Sequence, residues 1–287
     1  MSSVFIAGPA SWNTLVVLDR LPEPVPHMQF AEDTWETIGG TSAGKALSLT
    51  ALGRDVRLYA ATATDAAGLR VRDALAQAGV PARWADSPTT ERHLNLMTRA
   101  GGRVSLYLSN ATVAEGAGGT DDTVLEAEMS AADALVLDLA AEPRRLLPIA
   151  QRTGRPIWVD VHDYDGVADF HAPFLAAADA VFCNADRLDD PVAFLRSRID
   201  SGAGLAVCTL GAEGALAVDA SGDVHRVAAV PVDVVDTNGA GDAFLSGVLD
   251  ATLRGAAVPE ALHAGARAAA GVLTSRHLHP LLDAVLG

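Results

Sequence analysis

The sequence predicts an α/β fold: a mostly parallel sheet with a second, smaller sheet set over one end of it. Two observations carry this. Short apolar, β-rich runs alternate with Ala/Leu-rich amphipathic stretches through most of the chain, the pattern of successive βαβ units. Residues 12–38 and 88–112 break the rhythm with strand-like alternation and no helix between, which suits pieces that cannot join a buried parallel core.

Taken in order, the core strands are expected at Val4–Ala7, Val56–Ala60, Ala134–Leu139, Pro156–Val161, Ala180–Cys183 and Leu205–Leu210. The helices are expected at Ala43–Leu52, Ala67–Ala78, Pro143–Thr153, Pro191–Ser197, Ala240–Arg254 and Pro259–Ser275. The small sheet is read as antiparallel, from runs such as Arg92-His93-Leu94-Asn95-Leu96-Met97 and Arg103-Val104-Ser105-Leu106-Tyr107-Leu108. No repeat or low-complexity linker divides the 287 residues, so one domain over 1–287 is expected, with the two small-sheet segments inserted in its core.

Composition narrows the function classes. A formal net charge of -15, with no Lys/Arg cluster, repels a phosphate backbone and disfavours nucleic acid as a partner. The first eighteen residues carry no charged side chain, but Pro9, Ser11, Asn13 and Thr14 interrupt them and no basic segment precedes them, so neither a signal peptide nor a membrane span is expected. Cys183 and Cys208 each lie in an apolar run, as two buried thiols of a cytoplasmic protein would.

GGTSAGKALS, residues 39–48, imitates a phosphate-binding P-loop, yet the residue after Lys45 is Ala46, where a hydroxyl should ligate Mg²⁺. Lys45 is therefore read as a coincidence just inside a helix. DTNGAGDAF, residues 236–244, carries more. Gly239 and Gly241, just ahead of a helix, leave backbone N–H groups free for an anion, and the helix dipole adds positive potential there. Asp242 at that helix start would ordinarily be repelled by a phosphate; it makes sense as the base that takes a proton from an attacking hydroxyl.

DTNGAGDAF closely resembles the second signature, DTxGAGDxF, of the ribokinase-like (PfkB) carbohydrate kinases. The resemblance extends over nearly the whole chain. VFIAGPASWNTLVVLDRLPEP resembles that family's first strand and the start of its lid, GGTSAGKALSLTALG its first signature, TATDAAG its GxDxxG-like turn and TLGAEG, residues 209–214, its nucleotide loop. The resemblance implies a three-layer α/β/α core with a β lid, and transfer of the γ-phosphate of ATP to a primary hydroxyl of a sugar-like acceptor. It implies Asp242 as base, with Gly239, Ala240 and Gly241 as the anion hole. Asn184, Thr209, Gly211 and Gly214 would bind ATP, and Ser11, Asn13, Gly39 and Gly40 would bind the acceptor. Mg²⁺ would accompany ATP, Asp236 would mark a monovalent-cation site of the K⁺ type, and the exposed apolar lid strands would favour a homodimer through the lid.

Four departures bear on the acceptor and the metal. Gly44 stands where the first signature usually has a sugar-binding Asn, Ser11 where the lid often has one, Asn13 where the lid has an Asp, and Arg187 where an NxxE motif has its glutamate. They leave two alternatives open: a nucleoside kinase of the same fold, with Trp12 and Met97 receiving a base, and a non-catalytic nucleotide- or sugar-binding sensor. DVHDYDG, residues 160–166, fails as a calcium loop, with Val161 and Ala172 at ligand positions, and is read as a polar loop near the active site. His93 and Asn95 alternate onto one lid face, and HLHP, residues 277–280, is read as surface.

Overall fold

The computed structural model describes residues 2–113 and 121–287. In chain order the first half comprises β1 (Ser3–Ala7), β2 (Ser11–Leu18), β3 (Asp33–Gly39), α1 (Thr41–Ala51), β4 (Asp55–Thr62), α2 (Ala66–Gln77), β5 (Ala82–Asp86), β6 (Arg92–Thr98) and β7 (Arg103–Ser109). There follow α3 (Asp122–Ala131), β8 (Ala134–Leu137), α4 (Ala141–Thr153), β9 (Ile157–Asp160), α5 (Ala172–Ala177), β10 (Ala180–Asn184), α6 (Pro191–Asp200) and β11 (Leu205–Thr209). The last are β12 (Ala215–Asp219), β13 (Val224–Val227), α7 (Ala240–Leu253), α8 (Val258–Val272) and α9 (Asp283–Leu286).

The large sheet runs β13-β12-β11-β10-β9-β8-β1-β4-β5, parallel from β11 to β5 and antiparallel at β12 and β13. Both of its faces are covered, which is why its strands read as unbroken apolar runs. Val4 and Ile6 of β1 pack with α1, α2, α7 and α8, and Phe5 and Ala7 with α3, α4, α5 and α6. Three layers result.

The lid sheet runs β3-β2-β6-β7 and is built from the two segments the alternation marked. One pairing differs from expectation: β2 and β6 are parallel, with Asn13 opposite His93, because the chain returns to the lid from the core between them. β5, β12, β13 and α3 were not expected, since short edge strands and an amphipathic ten-residue helix carry little periodic signal. α4 begins two residues before Pro143, in the first helical turn where proline's missing N–H leaves no bond unmade.

Asp138, Asp160, Asn184 and Thr209 all stand at or just beyond the carboxyl ends of neighbouring parallel strands, β8 to β11. The lid covers that same edge.

Candidate active site

Between lid and core lies a cleft of about 800 Å³, lined by Asn13 and Leu15 of β2, His93 and Asn95 of β6, Ser105 and Tyr107 of β7, and the loop 236–242. Strand alternation puts these lid residues on one face, as His93 and Asn95 were expected to be. The rings of His93 and Tyr107 lie 4.0 Å apart, forming part of the cleft's roof.

The floor is the N-terminus of α7. Gly239 is its N-cap, left-handed at φ 79°, and a Cβ there would come 2.6 Å from the Leu278 carbonyl oxygen, so only glycine fits. Ala240 donates weakly to Thr237 O at 3.4 Å, whereas the N–H groups of Gly239, Gly241 and Asp242 find no acceptor among the described residues. Free donors at a helix N-terminus are able to receive an anion, and they belong to the stretch the glycine spacing singled out. Ala240 contributes least to it and does not line the cleft.

Asp242, in the first turn of α7, is buried and lines the cleft. Burial pushes its carboxyl up to about 6, with Asp138 and Asp160 adding to the rise and Lys45 pulling against it. Here the reading of Lys45 as a coincidence is overturned. Its side chain has no exposed surface, and its Nζ lies 2.8 Å from Asp242 Oδ1, 2.9 Å from Asp138 Oδ1 and 3.4 Å from Asp160 Oδ2. Ser42 donates to Asp138 Oδ2 at 2.6 Å. Burial alone would lower the Lys45 pKa, but the three carboxylates hold it well above the usual lysine range. Gly44 belongs to the same arrangement, because a Cβ on it would lie 2.5 Å from Asp242 Oδ2. The signals were present in the sequence: a single charged residue in an otherwise uncharged helix, and a single Asp closing the apolar run at 138.

Other predicted residues divide. Gly39 and Gly40 sit where lid strand β3 turns into α1, and both line the cleft with Asn13. Ser11 is fully buried and donates to Asn13 Oδ1 at 2.8 Å, so it orients Asn13 and does not reach the cleft. Asn184 lines the cleft, whereas Thr209, paired with it across β10 and β11, together with Gly211 and Gly214 lies outside the lining. Gly214 is packed so that a Cβ would strike Val227 O. Asp236 is buried and lines the cleft, with both carboxylate oxygens accepting from the Asn238 side-chain amide at 2.9 Å. Trp12 and Met97 are absent from the lining, and Trp12 belongs to the core, which removes the grounds for a base-binding pocket there.

Arg187 turns to Asp165 at 3.8 Å, and Asp186 takes the place on the cleft wall. The end of β9 and the polar loop after it supply Asp160, His162 and Asp163 to the cleft; His162, held at φ 51°, donates its backbone N–H to Asp160 Oδ1 at 3.0 Å. HLHP proves to be interior. His277, Leu278 and His279 are buried, Leu278 lines the cleft, and His277 Nδ1 is 3.0 Å from the hydroxyl of Thr37. Burial drives the His279 pKa down to about 4, so it packs as a neutral ring and accepts from Leu281 N–H at 3.1 Å. Its polar letters concealed this role. Cys183 and Cys208 are buried, reduced and side by side on β10 and β11. No described helix is long and apolar enough to cross a membrane.

Comparison with known proteins agrees with this geometry. The chain is 32% identical over 284 residues to the acarbose 7(IV)-phosphotransferase of Actinoplanes sp., covering 95% of this chain and 92% of the relative. It is 30% identical over 275 residues to the ATP-dependent ribose-1-phosphate kinase of Halopiger xanaduensis, covering 91% and 88% of the two. Among solved structures, a microbiome-derived acarbose kinase superposes with a TM-score of 0.83 at 28% identity, over 99% of this chain and 98% of that one. The family model described as pfkB family carbohydrate kinase matches residues 14–283, and the chain belongs to that family of kinases.

Proposed function

We propose that this carbohydrate kinase transfers the γ-phosphate of ATP to a primary hydroxyl of a carbohydrate acceptor held under the lid, with Asp242 as general base. The observation that carries the reading is a buried carboxylate placed beside free helix N-terminal amides on one cleft wall. The acceptor O–H bond breaks and its proton passes to Asp242. The freed oxygen bonds the γ-phosphorus, and the bond from that phosphorus to the bridging oxygen breaks, its electron pair leaving with ADP. The amides of Gly239, Gly241 and Asp242 stabilise charge on the phosphoryl oxygens in a site the lid shields from water. A base with a pKa of about 6 is ionised at neutral pH yet still strong enough to take up a proton.

Asn184 and Asp186, oxygen donors on the cleft wall, would hold Mg²⁺, whose preference is for such hard ligands. Bound with ATP, the ion would neutralise charge on the β- and γ-phosphates.

The relative at 32% identity is named for phosphorylating acarbose. An acceptor glycoside of two or more rings is therefore the leading substrate class. An ADP-release panel of acarbose, maltooligosaccharides, ribose, ribose 1-phosphate and nucleosides tests this, and exclusive turnover of nucleosides would overturn it. Asp242→Asn should lower turnover by at least about 100-fold with ATP affinity little changed.

A second copy of the chain is proposed to cover the outer lid face, where Leu94 and Leu96 of β6 adjoin Leu106 and Val104 of β7. The α2 helix covers only the β2 side of that face, through Arg70 over Trp12. Val104, Leu106 and Leu108 remain exposed.

A further inference from the structure

We propose that Lys45 is a positioning residue for the reaction: an internal cation that holds the Asp242 carboxylate in one orientation and in its ionised form. The inference rests on the reading of Asp242 as base and deepens it.

Four elements send a charged group to the same point. The α1 helix contributes Lys45, the end of β8 Asp138, the end of β9 Asp160 with His162 beyond it, and α7 Asp242. Asp163, Asp236 and Glu91 line the same cleft farther out. Three carboxylates thus share one ammonium, all within 3.4 Å of its Nζ. Buried ion clusters are weak sources of stability, so packing alone is a poor reason to keep one beneath an anion site. Take the ammonium away and the three carboxylates cannot all stay ionised at this spacing. Asp242, whose carboxyl already stands raised against the pull of Lys45, is then placed to take the proton they would share, and a protonated base is inactive.

Orientation follows from the same contacts. Of the three ion pairs, the one to Asp242 Oδ1 has hydrogen-bond alignment. That oxygen is engaged, so Oδ2, which has no donor among the described residues, is the one left for the acceptor's proton. Gly44, one residue before Lys45, leaves open the space Oδ2 fills. Helix α1 therefore supplies both the cation and the space, from adjacent positions. The other two carboxylates serve the second half of the cycle: once Asp242 has accepted the proton, Asp138 and Asp160 still hold the Lys45 ammonium, so it keeps its place and its charge in both protonation states.

The test is the pH profile of kcat/KM for wild type, Lys45→Met, Asp138→Asn and Asp242→Asn, each checked for folding by circular dichroism. Lys45→Met should move the acid limb up by at least about one pH unit, so that its deficit is about fivefold or more near pH 6 and narrows in alkali. Asp138→Asn removes a repelling charge and should move the limb the other way. A residue that merely packs would depress activity evenly across pH, and the two variants would not shift in opposite directions. If Lys45→Met does not fold, the direction of the Asp138→Asn shift decides. Loss of activity in Asp242→Asn with both limbs unmoved overturns the role of Lys45 alone. Near-normal turnover in Asp242→Asn overturns the base itself.

Discussion

At the level of single residues, Gly44 and Asp242 compete for one small volume, and this explains a feature that had pointed toward a damaged site. A Cβ at position 44 would lie 3.0 Å from Asp242 Cγ and 2.5 Å from its Oδ2, so any larger residue displaces the carboxylate from Lys45. Gly44 lies inside α1, where alanine would favour the helix by about 1 kcal/mol. Gly44→Ala is thus expected to lower kcat by about tenfold or more while Tm, measured by calorimetry, changes little, because helix propensity offsets the crowding. A variant with unchanged kcat would show that the carboxylate has room to turn elsewhere. Legibility at this scale was uneven. Asp242 and its glycines could be singled out from adjacent letters because a glycine-framed helix start is local. Lys45 could not, because its three partners lie between 93 and 197 positions away and only the sheet brings them together.

Among the elements, one carboxylate ties helix α2 of the core to the segment that enters the lid. Asp65 caps α2, accepting from Gly68 N–H at 2.8 Å, and accepts from the Thr90 hydroxyl at 2.7 Å just ahead of β6. Burial works against its charge, but the bonds from Thr90 and Gly68 outweigh that and hold its pKa below 3.8. A carboxyl held low stabilises the fold above its ordinary value, and the contribution is lost as pH falls through the folded one. Asp65→Ala should therefore cost about 1–2 kcal/mol in urea unfolding near pH 7, with the gap to wild type closing only below about pH 4. An equal gap in strong acid would assign the loss to packing instead. TATDAAG had marked the turn, and local capping chemistry is why it was visible. The pairing of β2 with β6 was not, because two strands some 75 residues apart can join either way until the intervening core is placed.

For the whole molecule, the outer lid face sets a prediction about assembly. Light scattering should give a dimer, and Leu106→Lys, placing a charge on a face proposed to be covered, should give a monomer. A monomeric wild type would overturn the proposed lid contact. Periodicity and composition pointed to the architecture, and one nine-residue motif, through its likeness to a family signature, to the kinase class, since buried parallel strands, amphipathic helices and a glycine-framed helix start are all properties of neighbouring residues. The tertiary structure alone decided which charges meet. It buried HLHP beside the cleft, withdrew Ser11 and Trp12 from it, and made Lys45 the shared counter-ion of three aspartates. Those outcomes depend on the approach of α1, α7 and the ends of β8 and β9, and an electrostatic interaction follows distance in space, which sequence separation does not encode.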